Sequence, residues 1–311
     1  MKKYHLKFDG RIYFGSIEHF FHFMWGYLLP SIYIINKLDN TAANHYLFES
    51  CGPVMDKLTR DMMHLLQCNF SIIQKSPDTQ DNNHTSIMIP RWEYGLIRAH
   101  ILNPDAPTFK FIPLIQKRFN KYPALLNALK AENFMADFLL ALTQVKLSIL
   151  KKTKAATSTV ELEKYEGCYL LLKRSPMPKF YSADGKSKVA GYGTSRRSLE
   201  GLDEAEYTLR QKNIPIRIFE PGKYSLTEQI KVFESSRGII AIRGAEFANL
   251  IWMKPESLVI LIEPSHHADR TPPMQKGLAN ILNLKYIEIE TTQGLYPALK
   301  PEMIEQYLVH P

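Results

Sequence analysis

A short turn holds the residues best suited to chemistry: Arg243 is followed directly by Gly244 and Ala245. An apolar run at 239–242 predicts a strand before this turn, and apolar residues at helical spacing predict a short helix after it. Such a turn presents free backbone N–H groups and the positive end of a helix dipole, which together can bind an anion. The turn and its arginine therefore predict a phosphate site. The alternative is an ordinary turn in which Gly244 only permits the bend.

Polar or charged residues follow four predicted strands in this half of the chain. In chain order they are Lys173 with Arg174, Phe219 with Glu220, Arg243 with Gly244, and Glu263 with Pro264. Parallel strands end at a common edge of their sheet, and α/β proteins bind ligands at that edge. We therefore expect these residues to line one site.

Alternating strands and helices predict the sheet that positions these residues. The predicted strands are 168–172, 214–219, 239–242, 258–262 and 286–289. Helices are predicted at 199–212 and 274–282. Between them, Ser225 and Glu228 have the spacing of a capping box and predict the start of another helix. This alternation is typical of a parallel, doubly wound sheet, and thus of an α/β fold.

The first half of the chain alternates less regularly. Its predicted strands are 4–8, 11–14, 45–51, 70–74 and 86–90, and its predicted helices are 54–66, 113–130, 131–150 and a buried helix that bends or breaks near Pro30. The polar stretch 151–159 lacks periodicity and predicts a linker.

The expected architecture is two Rossmann-like domains. A basic rim on the C-terminal half would hold a nucleotide diphosphate and the N-terminal half would supply the acceptor side, which is the plan of GT-B glycosyltransferases. An acceptor-side domain is expected at 1–155 and a nucleotide-sugar-binding domain at 160–295. A C-terminal helix within 296–311 is expected to pack back on the N-terminal domain.

Composition narrows the class of protein. The chain has 311 residues, of which 45% are hydrophobic and 23% charged, as is usual for globular proteins. Its cysteines, Cys51, Cys68 and Cys168, are widely spaced, which argues against a disulfide framework or a zinc site and for a reducing compartment. No signal-peptide pattern is visible, and the apolar stretch 20–35 is too short and interrupted for a membrane span. These features predict a cytoplasmic protein.

The formal net charge of +8 fits three kinds of partner: nucleic acid, an anionic membrane surface or a phosphate-bearing ligand. No nucleic-acid-binding motif is visible, so no nucleic-acid partner is expected. Peripheral contact with the anionic inner membrane face stays open, as does the simpler alternative of a mildly basic solvated surface.

Five blocks of the chain, in order, resemble the motifs of glycosyltransferase family 61. They are 170–175, 196–200, 219–233, 243–255 and 259–264. In the first half, 19–30 is similar to the family's Asn-Tyr-Tyr-His-Trp…Leu-Pro segment, so the resemblance covers most of 15–265. It implies inverting transfer of a sugar from a nucleotide donor, commonly a UDP-sugar, to a glycan or lipid-linked acceptor. It also implies a role in bacterial capsule or surface polysaccharide synthesis.

The donor-binding residues that we predict come from the strand ends and the glycine turn. They are Arg174, Arg197, Phe219, Glu220, Arg243, Gly244, Ala245, Asn249 and Glu263. The arginines and the turn would bind phosphate, with Arg197 contributed by a loop, and family analogy alone assigns Phe219 and Glu220 to the nucleoside. Asn249 either contacts ligand or caps the turn, and Glu263 either reaches a ribose hydroxyl or merely ends its strand.

Sugar transfer needs a base that deprotonates the acceptor hydroxyl. The resemblance makes His22 the first candidate and His19 the second, although a lone histidine in an apolar stretch is more often a hydrogen-bonded core residue. Glu18, Glu93 and Glu246 are carboxylate alternatives. No convincing Asp-x-Asp motif is present, so we expect no metal and no other cofactor.

The chain departs from the family pattern at several positions. Arg243 replaces the family histidine, Glu246 a frequent glycine, Lys173 a serine and His19 an asparagine. The permanent positive charge of Arg243 preserves anion binding, but an arginine cannot release and accept a proton as a histidine does. Two alternatives therefore remain: a non-catalytic binding or scaffold protein on a degenerate glycosyltransferase fold, and a transferase that uses a CMP-linked sugar.

Overall fold

A computed structural model describes residues 10–14, 20–29, 31–32, 35, 45–50, 52–73, 85–89, 134–155, 160–176, 197–264, 274–292 and 294–309. The chain divides into two compact units, Met1–Lys152 with Phe180–Ser187 and Thr153–Lys179 with Lys188–Pro311. Parallel strands occur in both units, which confirms the predicted α/β class, whereas the two-domain GT-B arrangement stays a prediction. The helix predicted at 113–130 lies outside the described residues.

The first unit contains two pairs of parallel strands. Strand β1 (Gly10–Phe14) pairs with β4 (Thr85–Ile89), and β2 (His45–Glu49) pairs with β3 (Asn69–Ile73). The helices are α1 (Phe20–Phe23), α2 (Pro53–Leu66) and α3 (Phe134–Ala155). Helix α2 begins with a proline at its first position, where no intrahelical N–H bond is lost, and presents one apolar side to the interior.

The buried helix predicted near residue 30 is present as α1, which continues as a π-helical turn over Met24–Leu28. Phe23, Met24 and Trp25 are buried in succession, so the segment is apolar on more than one side. A helix that is apolar on several sides belongs in a protein core rather than at its surface. His22 lies on this core helix.

The division between the two units, between Lys152 and Thr153, falls within the linker predicted at 151–159. The stretch is not irregular throughout, because α3 continues through Ala155. Lysine and alanine favour helix, and a polar composition alone does not end one. The ammonium of Lys152 also donates a hydrogen bond of 2.7 Å to the carbonyl of Leu65, which ties this turn of α3 to α2. Residues 156–159 lie outside the described residues.

The second unit is built on one parallel sheet. Its strands are β5 (Tyr169–Leu172), β6 (Ile216–Phe219), β7 (Gly238–Ile242), β8 (Leu258–Pro264) and β9 (Lys285–Thr291), in the spatial order β6-β5-β7-β8-β9. Its helices are α4 (Val160–Glu163), α5 (Leu202–Gln211), α6 (Leu226–Ser235), α7 (Met274–Ile281) and α8 (Glu302–Val309), with 3-10 helices at Pro221–Lys223 and Ala245–Trp252. The alternation matches the parallel sheet predicted from the sequence.

Both faces of this sheet are buried at its three central strands, β5, β7 and β8. Leu171, Ile240 and Ile260 belong to a core that they share with side chains of α5 and α8. The side chains that alternate with them along the strands, such as Leu170 and Ile239, are also fully buried. Continuous apolar runs are what a strand covered on both faces requires, which is why these strands were recognisable in the sequence.

Two predictions about helices in this unit need correction. Helix α5 begins three residues later than expected, because Gly201 adopts a left-handed φ of 73° that precedes the helix rather than belonging to it. The C-terminal helix was expected to pack back on the N-terminal domain. Its buried residues Ile304 and Leu308 instead join the core of the second unit.

No helix in the described ranges is both long enough and apolar enough to cross a membrane.

The predicted capping box is confirmed at the start of α6. The Ser225 hydroxyl accepts a bond of 3.3 Å from the Glu228 N–H, and the Glu228 carboxylate accepts a bond of 2.7 Å from the Ser225 N–H. Two N–H groups without intrahelical partners are thereby satisfied at the helix N-terminus.

Ser225→Ala should lower the free energy of unfolding by about 1 kcal/mol, because it leaves the Glu228 N–H without its acceptor. Chemical denaturation followed by circular dichroism measures the loss. Thr227→Ala, which removes a hydroxyl from the same helical turn, is the matched control and should have a smaller effect. Equal losses in the two variants would contradict a specific role for the cap.

Candidate functional site

The strand order of the second unit identifies the carboxyl ends of β5 and β7 as a candidate ligand site. From β5 the chain moves to β6 on one side, whereas from β7 it continues to β8 and β9 on the other side. The direction of winding therefore reverses between the neighbouring strands β5 and β7. Crevices outside the carboxyl ends of two such strands are where open α/β sheets bind ligands. Arg174 follows β5, and Arg243 follows β7.

Arg174 is held by two partners from distant parts of the chain. Its Nε donates to Oε1 of Glu246 at 3.0 Å, and its Nη1 donates to the backbone carbonyl of Arg197 at 3.4 Å. The side chains of Arg174 and Glu246 are only 9% and 17% exposed. A guanidinium with so little access to water interacts strongly with any anion beside it.

Arg243 forms a second ion pair one strand further along. Ile242, the last residue of β7, lies opposite Ile262 of β8, so Arg243 comes to lie beside Glu263, which still belongs to β8. Nη1 of Arg243 donates to Oε1 of Glu263 at 3.0 Å, and the Glu263 side chain is 2% exposed. Strand β8 is longer than predicted and continues through Pro264, so Glu263 lies within the strand near its end; a contact with ribose stays a prediction.

Burial dominates the protonation of Glu263. Desolvation raises the pKa of this carboxyl above its ordinary value, while the hydrogen bond and charge of Arg243 oppose that rise. Glu288 adds to the rise, and Arg197 opposes it. The positive charge of Arg197 thus reaches the same cluster as Arg243.

The predicted glycine turn is present, and its conformation is extended. Gly244 has a φ of −168°, and Ala245 begins a 3-10 helix where the sequence predicts an ordinary short helix. A Cβ atom on Gly244 would collide with Oε2 of Glu246, so glycine permits the close approach of this carboxylate and is not needed for a positive φ. Within the described residues, this Oε2 atom is buried without a hydrogen-bond partner.

The residues predicted at the nucleoside lie in different surroundings. Phe219 is fully buried, stacks on Tyr224 at a centroid distance of 4.9 Å and meets Tyr165 and Phe233 edge to face. Its surroundings are those of a core aromatic residue, so Phe219 is not part of the proposed site. Glu220 pairs with the exposed Lys223 at 3.0 Å.

Asn249 is fully buried one turn beyond Ala245. Its Nδ2 donates to Oε1 of Gln229 at 3.2 Å, and Nε2 of Gln229 donates to the carbonyl of Tyr224 at 3.1 Å. This chain of hydrogen bonds joins the 3-10 helix to the start of α6. Of the two roles considered for Asn249, these contacts favour support of the turn.

The structure brings together Arg174, Arg197, Glu246 and the glycine turn, with the Arg243–Glu263 pair on the adjoining strands. The pairing of Glu246 with Arg174 could not be read from the sequence, because the two residues are 72 positions apart with no local signal to connect them. Gln229 was missed for a similar reason, since a polar residue within an apolar helix pattern does not reveal its partner.

His22 lies on α1 in the first unit, and its role as a base stays a prediction. His19, Glu18 and Glu93 lie outside the described residues. Across the described ranges, no group of three or more histidine, cysteine, aspartate or glutamate side chains is arranged to hold a metal ion.

The chain belongs to glycosyltransferase family 61, because the family profile Glycosyltransferase 61 matches residues 20–260. The match spans most of the chain and includes α1, the sheet edge at Arg174 and the turn at Arg243. Membership supports a transferase that acts on sugars. No curated protein is significantly similar to this chain.

Glu263→Gln should change the pH dependence of stability. Because the pKa of Glu263 is raised in the folded protein, the folded state binds this proton more readily than the unfolded state does. The contribution of this group to stability is therefore fully present below its ordinary pKa of 4.5 and is lost as the pH rises through the raised value.

Urea unfolding at several pH values between about 4 and 7 tests this sign. The wild type should lose more stability with rising pH than Glu263→Gln does. Glu290→Gln, which removes an exposed carboxylate from the neighbouring strand β9, is the control. Parallel profiles for wild type and Glu263→Gln would contradict the raised pKa.

Proposed function

We propose that this protein is an inverting glycosyltransferase that moves a sugar from a nucleotide-sugar, a UDP-sugar in the first instance, to a hydroxyl of a glycan or lipid-linked glycan. The proposed setting is surface polysaccharide synthesis. Family membership supports sugar transfer as the reaction class. The formal net charge of +8 supports substrates that carry phosphate.

The observation that carries the proposal is the cluster of arginines where the winding of the sheet reverses. Arg174 and Arg243 follow neighbouring strands, and Arg197 contacts Arg174 through its carbonyl oxygen. In transfer from a nucleotide-sugar, negative charge grows on the phosphate oxygen as its bond to the sugar breaks. Fixed cations with little exposure to water stabilise such developing charge, and we assign this task to the arginines rather than to a metal.

In the proposed reaction, the acceptor oxygen attacks the anomeric carbon from the face opposite the phosphate. The new bond forms as the carbon–oxygen bond to phosphate breaks, so the configuration inverts and the nucleotide leaves with the bonding electrons. The acceptor proton passes to a base, which we assign to His22.

Nucleotide binding provides the first test, by thermal shift with UDP, GDP, TDP and CMP. A ligand that binds only the folded state raises the melting temperature by mass action. We expect one nucleotide to stabilise the wild type and the shift to be lost in Arg243→Ala. Arg217→Ala is the matched control, because it also removes one positive charge from the second unit, at a surface pair with Glu206. A shift that survives in Arg243→Ala would remove this arginine from the donor site.

His22→Ala should lower kcat for sugar transfer by about 10²- to 10⁴-fold, because a general base contributes that much. The nucleotide-induced thermal shift should stay as in wild type, since the arginines that bind phosphate are unchanged. His45→Ala, which removes an exposed histidine from the same unit, is the control. A folded His22→Ala variant with wild-type kcat would exclude His22 as the base.

The ion pairs favour a second candidate, a binding or scaffold protein on a glycosyltransferase fold. Arg174 and Arg243 are each neutralised by a carboxylate of the chain, which leaves less positive charge for a donor. Incubation with UDP-sugars distinguishes the two functions. Transfer or slow donor hydrolysis supports the enzyme, and binding without turnover supports the scaffold.

A further inference from the structure

Glu246 places a carboxylate inside the predicted phosphate site. One of its oxygens accepts a hydrogen bond from Arg174 at 3.0 Å, and the other lies over the Cα of Gly244, where a Cβ atom would collide with it. The side chain is 17% exposed, so the carboxylate is turned toward the protein rather than toward solvent.

These contacts are of the kind that a phosphate would make at this edge of the sheet. Carboxylate and phosphate are both oxyanions that bind arginine through charge-assisted hydrogen bonds. An oxyanion can approach Gly244 closely because this residue has no side chain. The position of the Glu246 carboxylate therefore marks where an external oxyanion would bind.

The same position sets up a competition. A phosphate at Arg174 would lie beside the negative charge of Glu246, and like charges with little exposure to water repel strongly. The carboxylate must consequently leave Arg174 before a phosphate can take its place. The affinity observed for the ligand is reduced by the fraction of molecules in which the site is already open.

We infer that Glu246 is an internal counter-anion that occupies the donor phosphate position, and that its displacement from Arg174 limits donor affinity. This inference rests on the proposed donor site. It makes Glu246 a residue that governs donor binding, where the sequence alone offered it as a base.

A buried oxygen supports the idea that the carboxylate can be displaced. Oε2 of Glu246 is buried and has no hydrogen-bond partner within the described residues, so one of its oxygens has lost water without compensation. An unsatisfied buried acceptor is costly, more so when it is charged. Among the described residues, the closed arrangement is held by the hydrogen bond from Arg174, which a more highly charged oxyanion can replace.

The test compares wild type with Glu246→Gln, using inorganic pyrophosphate and the nucleotide panel as separate probes. Calorimetry at low ionic strength gives the dissociation constants. Glu246→Gln keeps the size of the side chain but removes its charge, so pyrophosphate should bind about 10-fold tighter. This factor is expected if, in roughly a tenth of wild-type molecules, the carboxylate has already left Arg174. Adding Arg174→Ala to this variant should abolish the gain.

Glu206→Gln is the matched control, because Glu206 also pairs with an arginine of the same unit and its side chain is 21% exposed. It should leave pyrophosphate affinity as in wild type. Glu246→Ala is a second variant, which removes the carboxylate altogether. It should also bind pyrophosphate more tightly than wild type, and it serves if Glu246→Gln does not fold.

The two probes separate failure of the inference from failure of the proposed function. Wild type that binds a nucleotide, with no gain of pyrophosphate affinity in either Glu246 variant, would overturn the inference and leave the function standing. A gain for pyrophosphate without binding of any nucleotide would support the internal counter-anion and count against the nucleotide-sugar donor. Weaker binding in both Glu246 variants would also overturn the inference, because Glu246 would then help to hold the ligand.

Discussion

Burial of both faces of the parallel sheet is the constraint on which the second unit depends. Ile240 and Ile239 point to opposite faces of β7, and both are inaccessible to water. Charged side chains therefore have no place along these central strands and are confined to the strand ends. Since parallel strands share one carboxyl edge, the charged residues accumulate at that edge. A charge with little hydration is stable only beside a partner, and Arg174 and Arg243 each pair with a glutamate.

Much of this arrangement could be predicted from the sequence, because the responsible signals are local. The strand through Ile240 is a continuous apolar run, and the spacing of Ser225 and Glu228 defines a cap wherever the helix packs. What could not be predicted depends on partners remote in sequence. Phe219 at a strand end has the same pattern whether its ring faces a ligand or other aromatic rings, and only the fold places it against Tyr224.

The departures from the family pattern acquire a common physical meaning in the structure. Arg243 puts a permanent charge where the resemblance to the family predicts a histidine, and Glu263 balances that charge on the next strand. Glu246 puts a carboxylate where a glycine is frequent, and Arg174 balances it in turn. The substitutions keep the edge of the sheet suited to anions while filling it with internal ion pairs. Reaction class follows from family membership, whereas our proposal for ligand affinity rests on how readily these pairs open.

The hydrogen bonds through Asn249 and Gln229 connect the segment after Gly244 to the start of α6. Asn249 donates a hydrogen bond to Gln229, and Gln229 donates one to the backbone carbonyl of Tyr224. The hydroxyl of Tyr224 lies 2.9 Å from that of Tyr165. A displacement of the backbone after Gly244 would therefore also strain its links to the aromatic cluster of Tyr165, Phe219 and Tyr224. Movement of a side chain at the proposed anion site, in contrast, can leave these hydrogen bonds in place.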